Sequence, residues 1–353
     1  MLPDKDAYKI QLMEGFQKEL DQWRSVLSKS QVASIYFGGG TPALLGANSI
    51  QQILSWIKNI TSLSPGIEIT LEANPENITL PLMQSYAEVG INRVSIGVQS
   101  LDDSLLATLG RTHSANKAID AVHDTVKSNI HNVTIDLMYD LPGQDLTTWN
   151  NTLKQVVQLP ITHLSLYNLT LEPNTAFFKR KKEISNLMPE DEISLQMYEL
   201  AIEMLEKNNL IQYEISAFAK NNLRSHHNVG YWTARPFIGF GPSAFSYWEG
   251  KRFRNVPNLS QYCKKLTDGL SPIDFTEKLD PLSARRESLA IHLRLIEGVS
   301  LSEFERLHGT LDPETKTVLI ELETCGFITQ NRDSIKLTRK GLLFYDTVAA
   351  DII

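Results

Sequence analysis

The chain has 353 residues and a net charge of -7. This length exceeds what one hydrophobic core usually supports, so we expect a large domain and a smaller one. An acidic chain lacks the concentrated basic face of a nucleic-acid-binding protein, and no apolar run is long enough to span a bilayer. Residues 1–20 contain no signal-peptide core. The sequence therefore predicts a cytoplasmic protein with no transmembrane segment and no nucleic-acid partner.

The first half of the chain alternates between two patterns. Residues 6–27 carry apolar side chains every three to four positions, which predicts an amphipathic helix. Short apolar runs then alternate with segments of helical periodicity. The predicted strands are residues 33–37, 67–71, 93–98, 133–138, 163–169 and 212–216. Because strands joined by helices pair in parallel through right-handed crossovers, we expect an α/β fold with a barrel-like (β/α) sheet rather than an open one.

The C-terminal tail has a different pattern. Asp312 and Pro313 are suitable N-cap and first-turn residues for a helix that runs to Cys325. Residues 327–337 then predict a hairpin, and residues 340–349 predict a helix. We expect a small α+β unit of winged-helix type. Because the chain is acidic, its expected role is packing rather than DNA binding.

The boundary between the two predicted domains lies near the point where the pattern changes. After Asn228 the sequence becomes aromatic and glycine-rich. We therefore predict a (β/α) barrel at residues 1–220 and a C-terminal domain at residues 221–353.

The first predicted strand ends in the glycines Gly38 to Gly40, followed by Thr41 and Pro42. Glycine has no Cβ atom and adopts positive φ, so the backbone of such a loop can meet a charged small molecule. Pro42 fixes where the chain leaves the loop. This pattern predicts a ligand loop, with a plain strand exit as the alternative.

Polar side chains also occur at or near the ends of the following predicted strands. They are Glu72, Asn74, Gln99, Arg111 and Asp136. Ligands of parallel α/β sheets collect at the carboxyl ends of the strands. A carboxylate suits ribose hydroxyls, an amide offers a donor and an acceptor, and an arginine can pair with a carboxylate. Together with the glycine loop, these side chains predict a site for a nucleoside-type ligand.

The order and spacing of these motifs resemble those of radical S-adenosylmethionine (SAM) proteins. The branch that they resemble contains oxygen-independent coproporphyrinogen dehydrogenases and related haem chaperones. The motifs lie at residues 38–42, 72–75, 95–100, 110–113, 135–138 and 141–144. The resemblance covers essentially the whole chain and implies a partial (β/α) barrel of radical SAM type.

The resemblance also implies SAM as a cofactor. The positions that match SAM-binding positions of the family are Gly39, Gly40, Thr41, Glu72, Gln99, Arg111 and Asp136. The glycine loop would hold the amino end of SAM. For Arg111 and Asp136, a structural ion pair inside the barrel is the alternative interpretation.

Residues 226–232, His-His-Asn-Val-Gly-Tyr-Trp, resemble the signature of the haem chaperones in this branch. His227 offers an imidazole for haem iron, and Tyr231 and Trp232 offer flat apolar surface for a porphyrin. Without the resemblance, a packed aromatic corner with a hydrogen-bonded histidine is the favoured interpretation. The resemblance implies that haem is bound and transferred to an acceptor, for example a respiratory protein.

Radical SAM proteins hold a 4Fe–4S cluster with three closely spaced cysteines. This chain has only Cys263 and Cys325, which lie too far apart in sequence to suggest a metal site or a disulfide framework. The family places the cysteine motif just before the helix that begins here near Asp6. We therefore expect the first barrel strand and the cluster loop to lie upstream of Met1. True loss of the cluster is the alternative.

The sequence leaves more than one function open. A haem chaperone, with SAM and a 4Fe–4S cluster in its complete form, is the leading hypothesis. Oxygen-independent coproporphyrinogen oxidation by a 5′-deoxyadenosyl radical is the first alternative, so whether the chain is an enzyme stays open. A (β/α) protein that binds a phosphorylated metabolite without a cluster is the second.

Overall fold

The computed structural model describes residues 5–353 except 172, 174 and 175. The chain forms two compact units, and each is discontinuous in sequence. One unit contains residues 34–48 and 68–224. The other contains residues 49–67 and 225–353 together with the residues up to Ala33. The domain limits predicted from the sequence stay a prediction.

A curled, seven-stranded half-barrel sheet is the largest feature. Its strands are β1 (Gln31–Phe37), β2 (Ser62–Ala73), β3 (Arg93–Gln99), β4 (Asn132–Tyr139), β5 (His163–Asn168), β6 (Ile211–Glu214) and β7 (Ala217–Ala219). They lie in the order β1-β2-β3-β4-β5-β7-β6. Strands β2 to β5 pair in parallel. The predicted α/β class with a partial barrel is confirmed.

The strand predicted at residues 212–216 is wrong in detail. This segment belongs to a hairpin in which β6 and β7 run antiparallel, and β7 also pairs antiparallel with β5. Only Ile215 and Ser216 separate the two strands. So short a connection allows a hairpin, whereas a parallel crossover needs about a dozen residues or more. Parallel pairing therefore stops at β5.

Helices and further strands complete the described part of the chain. The helices are α1 (Lys5–Gln22), α2 (Arg24–Leu27), α3 (Ala47–Lys58), α4 (Leu80–Glu88), α5 (Asp103–Thr108), α6 (Ala115–Lys127), α7 (Leu146–Val156), α8 (Ala176–Lys179), α9 (Lys181–Ser185), α10 (Asp191–Lys207), α11 (His226–Trp232), α12 (Leu259–Thr267), α13 (Pro281–His292), α14 (Leu301–His308), α15 (Pro313–Thr324), α16 (Arg339–Leu343) and α17 (Tyr345–Ile352). The remaining strands are β8 (Phe245–Trp248), β9 (Lys251–Asn255), β10 (Ile273–Lys278), β11 (Val299–Ser300), β12 (Ile328–Gln330) and β13 (Ser334–Leu337).

The C-terminal residues form the α+β unit that the tail predicts. Asp312 caps α15 by accepting a hydrogen bond from the N–H of Thr315 at 3.0 Å. Strands β12 and β13 pair antiparallel as the predicted hairpin, and β11 joins them in a three-stranded sheet. The helix predicted at residues 340–349 is interrupted, because Phe344 leaves the helical conformation between α16 and α17. The helix predicted at residues 6–27 is likewise interrupted at Trp23.

The two faces of the parallel strands differ in polarity. On β2 to β5, alternate residues such as Leu71, Ile96 and Ile135 point to an apolar, buried face. The intervening residues are polar and point to the opposite face. These are Glu68, Thr70, Glu72, Arg93, Ser95, Thr134, Asp136, His163 and Ser165. Most strands of parallel sheets are apolar on both faces. The polar face therefore indicates a functional interior.

A buried carboxylate joins α1 to residues of the C-terminal third. Glu19 is 1% exposed. Its Oε2 accepts hydrogen bonds from the Tyr262 hydroxyl at 2.5 Å and from the Gly241 N–H at 2.8 Å. Its Oε1 accepts a hydrogen bond from the Asn255 amide at 2.6 Å. Burial raises the pKa of Glu19 above its ordinary value, while these donors favour the charged form.

Candidate functional site

A pocket opens at the carboxyl ends of β2, β3 and β4, and we call it the strand-end pocket. Its volume is about 460 Å³ including the part open to solvent, which is in the range of small-molecule sites. Its lining residues are Gly40, Thr41, Pro42, Glu72, Ala73, Asn74, Ser95, Gly97, Gln99 and Asp136. Five of the residues assigned to SAM by resemblance therefore meet in one place, namely Gly40, Thr41, Glu72, Gln99 and Asp136.

The glycine loop that borders this pocket needs its glycines. Gly39 and Gly40 have φ values of 75° and 58°, a region that residues with a side chain rarely adopt. Apart from the glycine and its two chain neighbours, no atom of the described residues lies within 4 Å of the position that a Cβ atom would occupy at either residue. The loop backbone is therefore open to a ligand.

Glu72 is held by two donors. The Tyr36 hydroxyl donates to Oε1 at 2.7 Å, and the Gly39 N–H donates to Oε2 at 3.1 Å. Burial and the nearby Glu72 charge raise the pKa of Tyr36, so the phenol stays protonated and remains a donor. The sequence analysis missed Tyr36, which occurs in an apolar run. Its position at the end of that run, before the glycines, was the available signal.

Gln99 occupies a strained turn at the end of β3. Its φ is 65°, and the Ser100 N–H donates to the Val98 carbonyl at 2.8 Å across it. The register between β3 and β4 also shifts between Ile96 and Gln99. Strain of this kind persists where the surrounding structure enforces it and clusters at functional sites. The turn places the Gln99 side chain at the pocket, where a Cβ on Gly97 would lie 3.2 Å from Gln99 Nε2.

Asp136 is the second carboxylate of the strand-end pocket. The Ser95 hydroxyl lies 3.3 Å from its Oδ1. Burial and the charge of Glu72 raise the pKa of Asp136 to about 6, although hydrogen bonds from Ser165 and Ser95 oppose the shift. This carboxyl group therefore changes charge just below neutral pH. Ser95 belongs to the motif at residues 95–100, but neither serine was predicted to contact Asp136, because serines in strands carry no distinctive signal.

Arg111 is not among the residues that line the pocket. Its side chain is half-buried, and its backbone N–H donates to the Leu106 carbonyl at 2.9 Å. Within the described part of the chain, Asp136 and Arg111 form no ion pair. The alternative of a structural ion pair between them is therefore wrong.

The proposed haem motif lies on α11 and is assembled locally. A hydrogen bond of 2.8 Å joins His227 Nε2 to the Tyr231 hydroxyl, one helical turn away. The two rings meet edge to face with centroids 4.8 Å apart, and Tyr231 also contacts Phe237 at 4.6 Å. The structure thus brings His227 and Tyr231 together.

Trp232 has different neighbours from Tyr231. The Arg294 guanidinium lies 4.3 Å from the centre of the Trp232 ring, a cation–π distance. Trp232 Nε1 is buried, and no described residue accepts a hydrogen bond from it. The sequence analysis did not foresee Arg294, because it is distant in sequence from α11.

Comparisons with known proteins agree with this geometry. The family model of the Radical SAM superfamily matches residues 17–156, and that of the HemN C-terminal domain matches residues 279–344. The radical S-adenosyl methionine domain-containing protein 1, mitochondrial, of Danio rerio is 38% identical over 97% of this chain and 80% of that protein. The heme chaperone HemW of Haemophilus influenzae is 32% identical over 97% of this chain and 88% of that protein. The chain belongs to the HemW family of radical SAM proteins.

A solved structure supports the fold of this HemW-family chain. Coproporphyrinogen III oxidase (HemN) from Escherichia coli, a radical SAM enzyme, superposes with a TM-score of 0.85 and 20% identity. The match covers 100% of this chain and 85% of that one. None of the helices that the structure describes combines the length and apolar character of a membrane span.

Radical SAM membership implies SAM and a 4Fe–4S cluster as the family's cofactors. The strand-end pocket fits SAM, since it combines an open glycine backbone with two carboxylates and an amide. The cysteines do not fit a cluster. Cys263 is buried with its thiol 3.3 Å from the Gln11 carbonyl, and Cys325 is exposed. The described residues of this HemW-family chain contain no group of three metal-ligating side chains.

Proposed function

We propose that this chain is a HemW-type haem chaperone that binds haem and transfers it to an acceptor protein in the cytoplasm. The observation that carries the proposal is the His227–Tyr231 pair on α11, in a chain whose relatives include proteins named heme chaperone HemW. An imidazole and adjoining apolar rings are the groups that haem iron and its macrocycle need.

In this proposal SAM binds in the strand-end pocket. Gly39, Gly40 and Thr41 would hold its amino end, and Glu72, Gln99 and Asp136 would take the ribose hydroxyls. The donors from Tyr36 and Gly39 fix the Glu72 carboxylate before the ligand arrives. Arg111 would pair with the carboxylate of SAM, although Arg111 is not one of the residues that line the strand-end pocket.

SAM supplies a 5′-deoxyadenosyl radical in radical SAM proteins that hold a 4Fe–4S cluster. The groups proposed to bind haem are His227 and the adjoining rings, so we expect this chain to bind haem even without a cluster. The donor to haem iron would be His227. Ligation through Nε2 requires that its hydrogen bond to Tyr231 opens.

A haem titration of the 353-residue chain tests the proposal. We expect a shift of the haem Soret band on binding, and an affinity that falls roughly tenfold or more in His227→Ala because a metal ligand is lost. His226→Ala should have the smaller effect, since His226 lies outside the matched pattern. His131→Ala, which removes an exposed histidine from another segment, is the matched control.

Circular dichroism should show that all three variants are folded. If folded His227→Ala binds haem as tightly as the parent chain, the packed aromatic corner is the better interpretation. Coproporphyrinogen oxidation is the second candidate function, favoured by the HemN-like fold. Anaerobic incubation of a cluster-complete form with coproporphyrinogen, SAM and a reductant separates the two, since a chaperone yields no oxidised product.

A further inference from the structure

The polar face of the half-barrel has an unbalanced charge. Strands β1 to β7, all of which the structure describes, contain the acids Glu68, Glu72, Asp136 and Glu214. Arg93 is the sole arginine or lysine in these strands. It is 2% exposed, and a buried guanidinium without nearby negative charge is strongly disfavoured. The position of Arg93 relative to the acids therefore determines which carboxylates its positive charge stabilises.

The Arg93 side chain leans toward the strand-end pocket. Its register partner on β4 is Asn132, yet its Nη2 donates to the Thr134 hydroxyl at 2.6 Å. Thr134 is two residues nearer the carboxyl end of the strand. Asp136 is the next residue on the same face of β4. The guanidinium therefore lies in the layer immediately below the Asp136 carboxylate.

Glu68 and Arg93 form a buried ion pair without a hydrogen bond between the Nε and Oε2 atoms. The Arg93 Nε and Glu68 Oε2 atoms are 3.8 Å apart, which is too far for a hydrogen bond. Within the described residues, Arg93 Nε has no hydrogen-bond partner. The positive charge is thus available to carboxylates above it as well as to Glu68.

We propose that Arg93 is a positioning residue for the strand-end pocket: its charge keeps Asp136 ionised, so that Asp136 can accept a hydrogen bond from a ribose hydroxyl. This inference rests on the proposed SAM site. Two carboxylates that share a pocket normally compete for a proton. Arg93 allows Glu72 and Asp136 to be charged together.

The groups around Asp136 come from four neighbouring strands. They are Tyr36 on β1, Glu72 on β2, Arg93 and Ser95 on β3, and Ser165 and Tyr167 on β5. Burial raises the pKa of Tyr167 to about 12 and raises that of Tyr36 as well, so both phenols stay neutral. Among these groups, Arg93 supplies the positive charge and Glu72 the negative one.

Carbon-13 NMR of the full chain, labelled at aspartate carboxyl carbons, tests the proposal without any ligand. Asp136→Asn identifies the Asp136 signal. In Arg93→Met we expect the midpoint of the Asp136 titration to rise, because a nearby positive charge favours the ionised carboxylate. Glu68→Gln removes the negative charge that lies 3.8 Å from Arg93 Nε and should lower the midpoint.

The Asp136 midpoint is expected to rise in Arg93→Met and to fall in Glu68→Gln. Structural damage alone would not shift the midpoint in opposite directions in the two variants, so the pair of results identifies an electrostatic effect. Arg93→Lys keeps the charge and should keep the midpoint close to that of the parent. If Arg93→Met does not fold, Glu68→Gln and Arg93→Lys carry the test. An unchanged midpoint in folded Arg93→Met, or in Glu68→Gln, overturns the proposal.

Equilibrium dialysis at pH 6.5 measures SAM binding separately. This measurement distinguishes a failure of the proposed SAM site from a failure of the proposed role of Arg93. If the parent chain does not bind SAM, the proposed cofactor site fails while the NMR result still stands. If the parent binds SAM and Arg93→Met binds it equally well at this pH, Arg93 has no positioning role.

Discussion

The strand-end pocket and helix α11 are built in different ways. The pocket gathers Gly40, Glu72, Gln99 and Asp136 from separate strand ends, and backbone strain and hydrogen-bond donors fix them in place. On α11, by contrast, His227 and Tyr231 are one turn apart and satisfy each other. The pocket is thus preorganised for a ligand, whereas α11 must break an internal contact to bind one. This difference gives opposite expectations for mutations in the two regions.

The largest expected effect is in the pocket. Glu72→Ala should weaken SAM binding by about 1.5–3 kcal/mol, the usual value for a hydrogen bond to a charged group. Dissociation constants from equilibrium dialysis of the parent and variant chains measure it. Glu88→Ala, which removes an exposed carboxylate from α4, is the control. Equal affinities of Glu72→Ala and the parent would contradict the ribose assignment.

Replacing Gln99 by glycine should change the free energy of unfolding and the affinity for SAM in opposite directions. Because Gln99 has a positive φ, Gln99→Gly should relieve strain and raise the free energy of unfolding by about 0.5–1 kcal/mol. The same change should weaken SAM binding, since the amide is lost. Urea unfolding measures the first quantity. Gln84→Gly on exposed α4 should instead destabilise the chain, and a stability loss in both variants would show that Gln99 is not strained.

A smaller effect than that of Glu72→Ala is expected on α11. Tyr231→Phe keeps the aromatic ring but removes the hydroxyl that bonds His227, so haem should bind more tightly by about 0.5–1.5 kcal/mol, the net value of one hydrogen bond. Soret titration measures this gain. Phe237→Leu leaves the His227 hydrogen bond in place and serves as a control. Weaker haem binding in Tyr231→Phe would mean that the hydroxyl orients the ligand instead of blocking it.

The residues that line the pocket could be predicted from the sequence, but most of the side chains that contact them could not. Glu72, Gln99 and Asp136 stand out because polar groups at strand ends are unusual and match family motifs. Tyr36, Ser95 and Arg93 escaped notice because each needs the strand register to be seen as facing the pocket. The register determines which alternate residues share a face, and it is a property of paired strands.

Contacts between residues distant in sequence could not be predicted in the C-terminal part of the chain either. Residues 226–232 identified His227 and Tyr231, but the packing of Arg294 on Trp232 depends on tertiary structure. The hairpin at β6 and β7 was missed for a related reason. Residues 211–216 alternate apolar and polar side chains with no glycine or proline to mark a turn, and periodicity alone does not reveal that the chain reverses there.

The Glu19 carboxylate has a consequence for how this protein is made. Glu19 and Tyr262 are 243 residues apart, and Asn255 and Gly241 are nearly as far away. At translation rates of about 5–20 residues per second, α1 leaves the ribosome roughly 12–50 seconds before its last partner has been synthesised. Until residue 241 has been synthesised, the Glu19 carboxylate has none of these native contacts. Helix α1 is therefore synthesised long before these contacts can form, and a nascent chain stalled before residue 241 carries α1 without these native partners.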